Sequence, residues 1–200
     1  MQQDELTAIL ARLEALEAKE EIRAVIGRYP RGVDRCEPNE ILNALWPDAN
    51  LVTSNSAGEA KDTINKLIGE FVPSILAATH HMVGNIIIDL RGNEAYTESY
   101  CVAHHRTHPT RESNEAVIGK DHIPEGGENK VLELIVGLRY LDRLEKRDGS
   151  WRITERRLIY DWTQVGEYTG YESGGLTDVT ELFGRRSPED ASHAHWARAA

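Results

Sequence analysis

The dipeptide Asp148-Gly149 lies between two long segments, Val131 to Leu144 and Trp151 to Trp162, both rich in apolar, β-branched and aromatic residues. Asp-Gly accepts positive φ at both central positions of a tight turn, so this spacing predicts a hairpin of two long antiparallel strands. Further strands are expected at Asp48 to Val52, at Tyr96 to His105, and at the run Ile86-Ile87-Ile88 closed by Asp89-Leu90-Arg91-Gly92-Asn93. The chain ahead of them reads differently. Leu6, Ile9, Leu10, Leu13 and Leu16 recur at helical spacing over Glu5 to Leu16, and Ile22, Val25, Ile26 and Tyr29 form a second stripe from Lys19. Pro30 removes a backbone donor, so this second helix is expected to kink or stop there, with Gly32 easing the bend. A short helix over Glu40 to Trp46 and a third over Asp62 to Ala77 follow, after a turn at Gly58 to Asp62. Helices first and a block of long antiparallel strands afterwards is an α+β pattern.

Two hundred residues favour one domain with its own core. No apolar run is long enough to cross a membrane, and the opening Met1-Gln2-Gln3-Asp4-Glu5 is no secretory leader, so a soluble cytoplasmic protein is expected. A formal charge of −10 argues against nucleic acid as a partner, because phosphate binding needs concentrated Lys and Arg. Cys36 and Cys101 have no spacing that suggests a disulfide framework or a thiolate zinc site. The His pairs 80-81 and 104-105 and His108 lack the helical His-x3-His spacing of a metal site, and none is expected. His193 and His195 read as solvated.

The chemistry centres on Thr79-His80-His81-Met82-Val83-Gly84-Asn85 at the mouth of a strand. In a strand, alternate residues share a face. His81 therefore goes with Val83, Asn85 and Ile87, and His80 with Met82 and Gly84. We expect His81 to point into a cavity. A neutral imidazole is a good base near neutral pH, and a carboxylate on its other ring nitrogen fixes the tautomer and stabilises the imidazolium. Asp34, near the broken helix end, is the candidate carboxylate; an exposed Asp and a strand-capping His is the bland alternative. Tyr29 could donate a hydrogen bond to a carbonyl that becomes an enolate, or could simply anchor its helix. Arg156 could hold an oxyanion or make a strand-edge ion pair. Asn85, Tyr140 and Tyr160 are candidates for polar contacts to substrate, and Val72, Leu76, Val102, Val136 and Leu138 for an apolar wall.

Tyr29-x4-Asp34, Trp46-Pro47-Asp48-Ala49, Thr79-His80-His81 with Asn85, and Arg156-Arg157-Leu158-Ile159-Tyr160-Asp161-Trp162 together resemble the SnoaL-like branch of the NTF2-like superfamily over about residues 5 to 165. The resemblance implies a cone, in which a curved antiparallel or mixed sheet wraps around helices and leaves a deep pocket. It also implies cofactor-free lyase chemistry on a His-Asp pair, as in hexachlorocyclohexane dehydrochlorinase, scytalone dehydratase and bile acid 7α-dehydratase. Tyr29 stands where the dehydrochlorinase has a lysine, which speaks against chloride elimination, and a tyrosine there is similar to the bile acid enzyme. On the next strand the resemblance sets Tyr100, Val102 and His104 on the pocket side, His104 protonating a leaving hydroxyl, with His105 as its rival. Dehydration is the first reaction type implied. Carbon–carbon cleavage that releases formaldehyde from a lignin-derived aromatic dimer, as in the NTF2-like sphingomonad diarylpropane lyase, is the second. Other members of the fold are non-catalytic scaffold subunits or ketosteroid-type isomerases. Family analogy also implies a homotrimer. Residues 166 to 200 are expected to form a loop over Gly166 to Gly175, whose Tyr168 to Tyr171 stretch is expected to close the pocket, and short helices, one capped by Ser187, packing on the core or on a neighbouring subunit.

Overall fold

The computed structural model describes residues 2–52, 60–171, 173–179 and 183–197. Its first element is a single helix, α1 (Gln2–Arg35), of 34 residues. Two helices were expected. Glu17 and Ala18 between the two stripes are good helix formers, so nothing ends the first one. The chain also stays helical through Pro30, which is buried and costs the ladder one donor without ending it. The helix stops at Cys36, whose φ of 54° is the left-handed C-terminal turn. Helix α2 (Pro38–Ala44) leads directly into β1 (Leu45–Val52), so this strand opens three residues before Asp48. Part of the turn expected at Gly58 to Asp62 lies outside the described residues. Helix α3 (Ala60–Lys66) continues through a π-helical turn, Leu67–Phe71, into α4 (Val72–Ile75).

Four long strands follow: β2 (Leu76–Arg91), β3 (Glu94–Thr107), β4 (Leu132–Arg147) and β5 (Ser150–Glu167). The five-stranded sheet has the order β1-β5-β4-β3-β2, with β1 parallel to β5 and all other neighbours antiparallel. It is a curved, unclosed mixed sheet, and the fold is the expected NTF2-like one. The Asp148-Gly149 turn forms as expected, with φ of 51° and 80°. A short helix, α5 (Arg111–Val117), was not anticipated; the hydroxyl of Thr110 caps it by accepting from the Ser113 N–H.

One-residue slips at Ala77 and Asn85 in β2 and at Thr154 and Asp161 in β5 decide which side chains face inward, the last setting Tyr160 and Trp162 on opposite faces. Between Gly84 and Ile87 the β2–β3 register slips at Asn85, which sits at φ 47°. Ile86 and Ile88 therefore turn inward and Ile87 outward, reversing the expected parity beyond Val83. Asn85 itself is exposed. In β5 a slip at Thr154 sets Arg156 opposite Asp142.

The main core lies where α1, through Ile22, Val25, Ile26 and Tyr29, packs with α2 and α3 against the sheet. Val72 and Leu76 belong to this core, which corrects their assignment to a pocket wall. A second apolar cluster consists of strand residues alone: Cys101, Ala103, Val136, Leu138 and Tyr140, flanked by Val83, Leu134 and Leu158. It lines the concave side, with the ring of Tyr140 6.3 Å from that of Tyr29 on α1.

The C-terminal segment forms a 3-10 turn, Gly175–Val179, and helix α6 (Ala191–Ala197). Ser187 does not cap that helix; Asp190 does, accepting from the N–H and hydroxyl of Ser192 at 3.0 and 2.6 Å. His193 is paired with Glu37 at 2.9 Å rather than solvated. Tyr168 in the glycine-rich loop packs on Arg106, 5.0 Å from the guanidinium, and its ring is 6.2 Å from His104, away from His81. No helix among the described residues is long and apolar enough to cross a membrane.

Candidate active site

The last turn of α1 carries Asp34 to the concave face of β2. There its carboxylate meets His81 twice: Oδ1 lies 2.7 Å from the ring Nδ1, and Oδ2 accepts the main-chain N–H of His81 at 2.9 Å. The second bond makes the carboxylate a fixture of the strand. The first requires the proton on Nδ1 and leaves Nε2 as the lone-pair nitrogen. Both side chains are largely enclosed, 7% exposed for His81 and 13% for Asp34. Burial works to raise the Asp34 pKa, but the hydrogen bonds and charge of His81 outweigh it and hold the carboxyl below its ordinary value.

Opposite His81, the face that looks at Asp34 consists of the odd-numbered residues of β3. His81 pairs with Ala103 and Thr79 with His105, so His105 turns inward. Its ring stands edge-on to that of His81, centroids 5.5 Å apart. Burial, then the nearby His81, push its pKa down to about 4, so it is neutral at physiological pH. Its Nδ1 meets the Leu134 carbonyl at 3.3 Å, which leaves Nε2 as an acceptor.

His104, Tyr100 and Val102 turn the other way. His104 is paired with Glu133 at 2.9 Å on the outer side, and Tyr100 and Val102 are 45% and 46% exposed there. Their expected positions on the pocket side are thereby corrected. The reason is size: the inward residues of β3, from Ala95 through Thr97, Ser99, Cys101 and Ala103, are small because the helices pack over them, and the large residues face out.

Arg156 is fully enclosed. Its Nε and Nη2 each donate to one oxygen of Asp142 at 2.7 Å, and the rings of Tyr29 and Tyr140 cover its faces at 4.1 and 4.3 Å. Nε and Nη2 are thus committed to Asp142, while the buried Nη1 makes no hydrogen bond among the described residues. Asp142, missed in the sequence, is as buried as its partner. Burial raises the pKa of Tyr29, of Tyr140 and of Tyr160, so all three keep their O–H at neutral pH. Tyr160 is the open one. It lies opposite Leu138 on the concave face and is 54% exposed, whereas Tyr29 and Tyr140 are 7% and 3% exposed. The burial of Cys101 pushes its thiol up to about 11, so it is not a nucleophile at neutral pH. Among the described residues no three His, Cys, Asp or Glu side chains gather in a way that could hold a metal ion.

The SnoaL-like domain model matches residues 14–157. The chain belongs to this family. A Novosphingobium aromaticivorans protein described as a candidate scytalone dehydratase superposes with a TM-score of 0.58 at 22% identity, covering 78% of this chain and 91% of its own. A hexachlorocyclohexane dehydrochlorinase, LinA Type2, gives 0.65 at 13% identity over 82% and 99%. An NTF2-like protein with a cystatin-like fold, also from N. aromaticivorans, gives 0.58 at 19% identity over 78% and 90%. At these identities the likeness is one of fold. Among curated proteins none matches this sequence.

Proposed function

We propose that this protein is a cofactor-independent lyase acting on a mostly apolar, ring-containing small molecule bound against the strand cluster of the concave face. The observation that carries the reading is the double contact of Asp34 with His81. Nε2 of His81 takes a proton from carbon or from a hydroxyl, and Asp34 stabilises the imidazolium that forms. In a dehydration the same imidazolium returns the proton to the departing hydroxyl on the same side, so no second acid is needed. In carbon–carbon cleavage the base removes the hydroxymethyl O–H proton, formaldehyde departs, and the electron pair of the broken C–C bond forms a double bond by expelling the hydroxyl on the neighbouring carbon, which the imidazolium protonates to water. Tyr160 donates to the oxygen that gains charge, backed by Tyr29, and Nε2 of His105 accepts from a substrate hydroxyl. The ketosteroid type of isomerase needs a free carboxylate, and the acid that the sheet turns toward α1, Asp142, is taken up by Arg156.

The test is turnover of β-hydroxy carbonyl and hydroxymethyl aryl compounds, followed by conjugated-product absorbance and formaldehyde release. Asp34→Asn and His81→Ala should each lose about 100-fold or more in rate with the circular dichroism spectrum intact. Activity retained in either ends the dyad reading, and binding without turnover by the wild type favours the scaffold alternative. Large apolar residues on the outer face, Met82, Tyr100, Val102 and Trp162, support self-association, with the trimer as the expected state. A monomeric mass by light scattering would count against it.

A further inference from the structure

Beyond the matched domain, the C-terminal segment sends one side chain back behind the dyad. Arg186 donates through Nη1 to the carbonyl of Leu76 at 2.7 Å and through Nη2 to the carbonyl of Val33 at 3.4 Å. Val33 immediately precedes Asp34 in the last turn of α1, and Leu76 opens β2, the strand that carries His81. The two acceptors thus belong to the two elements that bear the dyad. The guanidinium also lies beside the Cys36 thiol and within the field of the Asp34 carboxylate. The C-terminus of a helix leaves carbonyls without intrahelical partners and favours a cation. A planar guanidinium holds its donors in a rigid fork and so serves two separate carbonyls with less loss of freedom than the flexible ammonium of Lys.

The segment that delivers Arg186 is itself held. Asp190 accepts from the N–H of Arg185 at 2.7 Å and from Ser192, and lies 3.9 Å from Arg35. These hydrogen bonds keep its carboxyl far below the usual range. His193 pairs with Glu37 just past the end of α1, and Arg31 reaches Ser192 at 3.5 Å. The segment is therefore anchored on both sides of Asp34 in sequence.

We propose that Arg186 is a positioning residue for the Asp34–His81 pair: it ties the last turn of α1 to the start of β2 and so sets the distance at which carboxylate and imidazole meet. The inference rests on the dyad reading. Past Pro30 the end of α1 has lost one ladder bond, and Asp34 stands four residues further on. Its aim then depends on what grips that last turn from outside, α2 on one side and Arg186 on the other. The family model ends at residue 157, so this grip is supplied by a part of the chain outside the shared domain.

The test reads His81 directly in the full chain labelled with 15N-histidine, by the ring nitrogen shifts as a function of pH. In the wild type the Nδ1-protonated tautomer should dominate, and Asp34→Asn should abolish that preference. Arg186→Gln should lower the ratio of the two tautomers about tenfold, as loss of alignment in one charge-assisted hydrogen bond would. Asp190→Ala, which frees the segment and takes from α1 only the 3.9 Å contact with Arg35, should do the same, and Arg186→Lys should fall between. Wild-type His81 signals in Arg186→Gln, or in both Arg186→Lys and Asp190→Ala should the Gln variant not fold, overturn the proposal. Signals unchanged in Asp34→Asn instead overturn the dyad itself, so the two failures are distinguishable.

Discussion

His105 stands edge-on to His81, at an interplanar angle of 84° and a centroid separation of 5.5 Å, on the same enclosed face of the sheet. Two imidazoles so close cannot both be cations at low cost, and Asp34 serves only one of them. His105 is the one kept neutral, with a pKa near 4 against an ordinary 6.5. The folded protein therefore refuses a proton that the unfolded chain accepts between those two values. Stability should fall as the pH is lowered from about 6.5 to about 4, by up to about 3 kcal/mol from this group. Asp34, whose folded pKa is depressed, contributes stability above its ordinary 3.8 that is lost only as the pH drops through its lower folded value. Urea unfolding across this range should show the upper slope in the wild type and not in His105→Gln. An equal slope in both would mean that His105 is not held neutral.

The Arg156–Asp142 pair has no exposed side-chain surface at all. Removing one member of such a pair strands a buried charge, at a typical cost of about 3–5 kcal/mol. Asp142→Asn should lose about that much in urea unfolding. The double variant Asp142→Leu/Arg156→Met should recover most of it, because the aromatic rings of Tyr29 and Tyr140 accept an apolar chain between them. Asp142→Asn unfolding together with the wild type would refute the structural role given to Arg156.

The hairpin at Asp148-Gly149 and the α-before-β order were legible as residue patterns, because turn chemistry and helical spacing are local; the Asp34–His81 pairing, 47 residues apart, was favoured over the bland reading only through the family resemblance. The inward face of the sheet was not. Counting back evenly from Asp148-Gly149 sets Arg156 opposite Leu141, and only the bulge at Thr154 moves it to Asp142. The slip at Asn85 likewise reverses Ile86, Ile87 and Ile88. No glycine announces the slip at Thr154, and at the other the positive φ falls on Asn85 rather than on the neighbouring Gly84. On β3 both faces are apolar, the outer through Tyr96, Tyr100 and Val102, so hydrophobicity could not choose between His104 and His105. Arg186 was invisible for another reason: its partners are main-chain carbonyls, which leave no trace in residue type.

Gly137 on β4 lies directly under the indole of Trp162, and a Cβ there would stand 2.1 Å from the ring. Trp162 is half-exposed on the outer face, so the ring can lift away without moving backbone. Gly137→Ala should therefore cost only about 1 kcal/mol, at the low end for overpacking. It should still shift the tryptophan emission to longer wavelength as the indole enters water. Unchanged emission would place the indole elsewhere in solution.

Gly32 and Gly27 lie in the same helix and should respond to alanine with opposite signs. A helical Gly→Ala change ordinarily stabilises by about 0.5–1 kcal/mol, through backbone entropy. At Gly27 nothing lies within 4 Å of the added carbon, so that gain should be realised in full. At Gly32 the carbon would stand 2.5 Å from Cγ1 of Ile41 and 3.1 Å from the main chain of Glu37 and Ile41. Ile41 is fully buried and the other contacts are backbone, so neither can yield. Overpacking of this kind costs about 1–3 kcal/mol and should exceed the entropic gain. The glycine is thus a docking point for α2 rather than a hinge after Pro30. Since α2 grips the turn that carries Asp34, Gly32→Ala should also disturb the His81 ring signals, which Gly27→Ala should leave alone. Urea unfolding of the two variants decides the sign, and a stabilised Gly32→Ala would remove α2 from the support of the dyad.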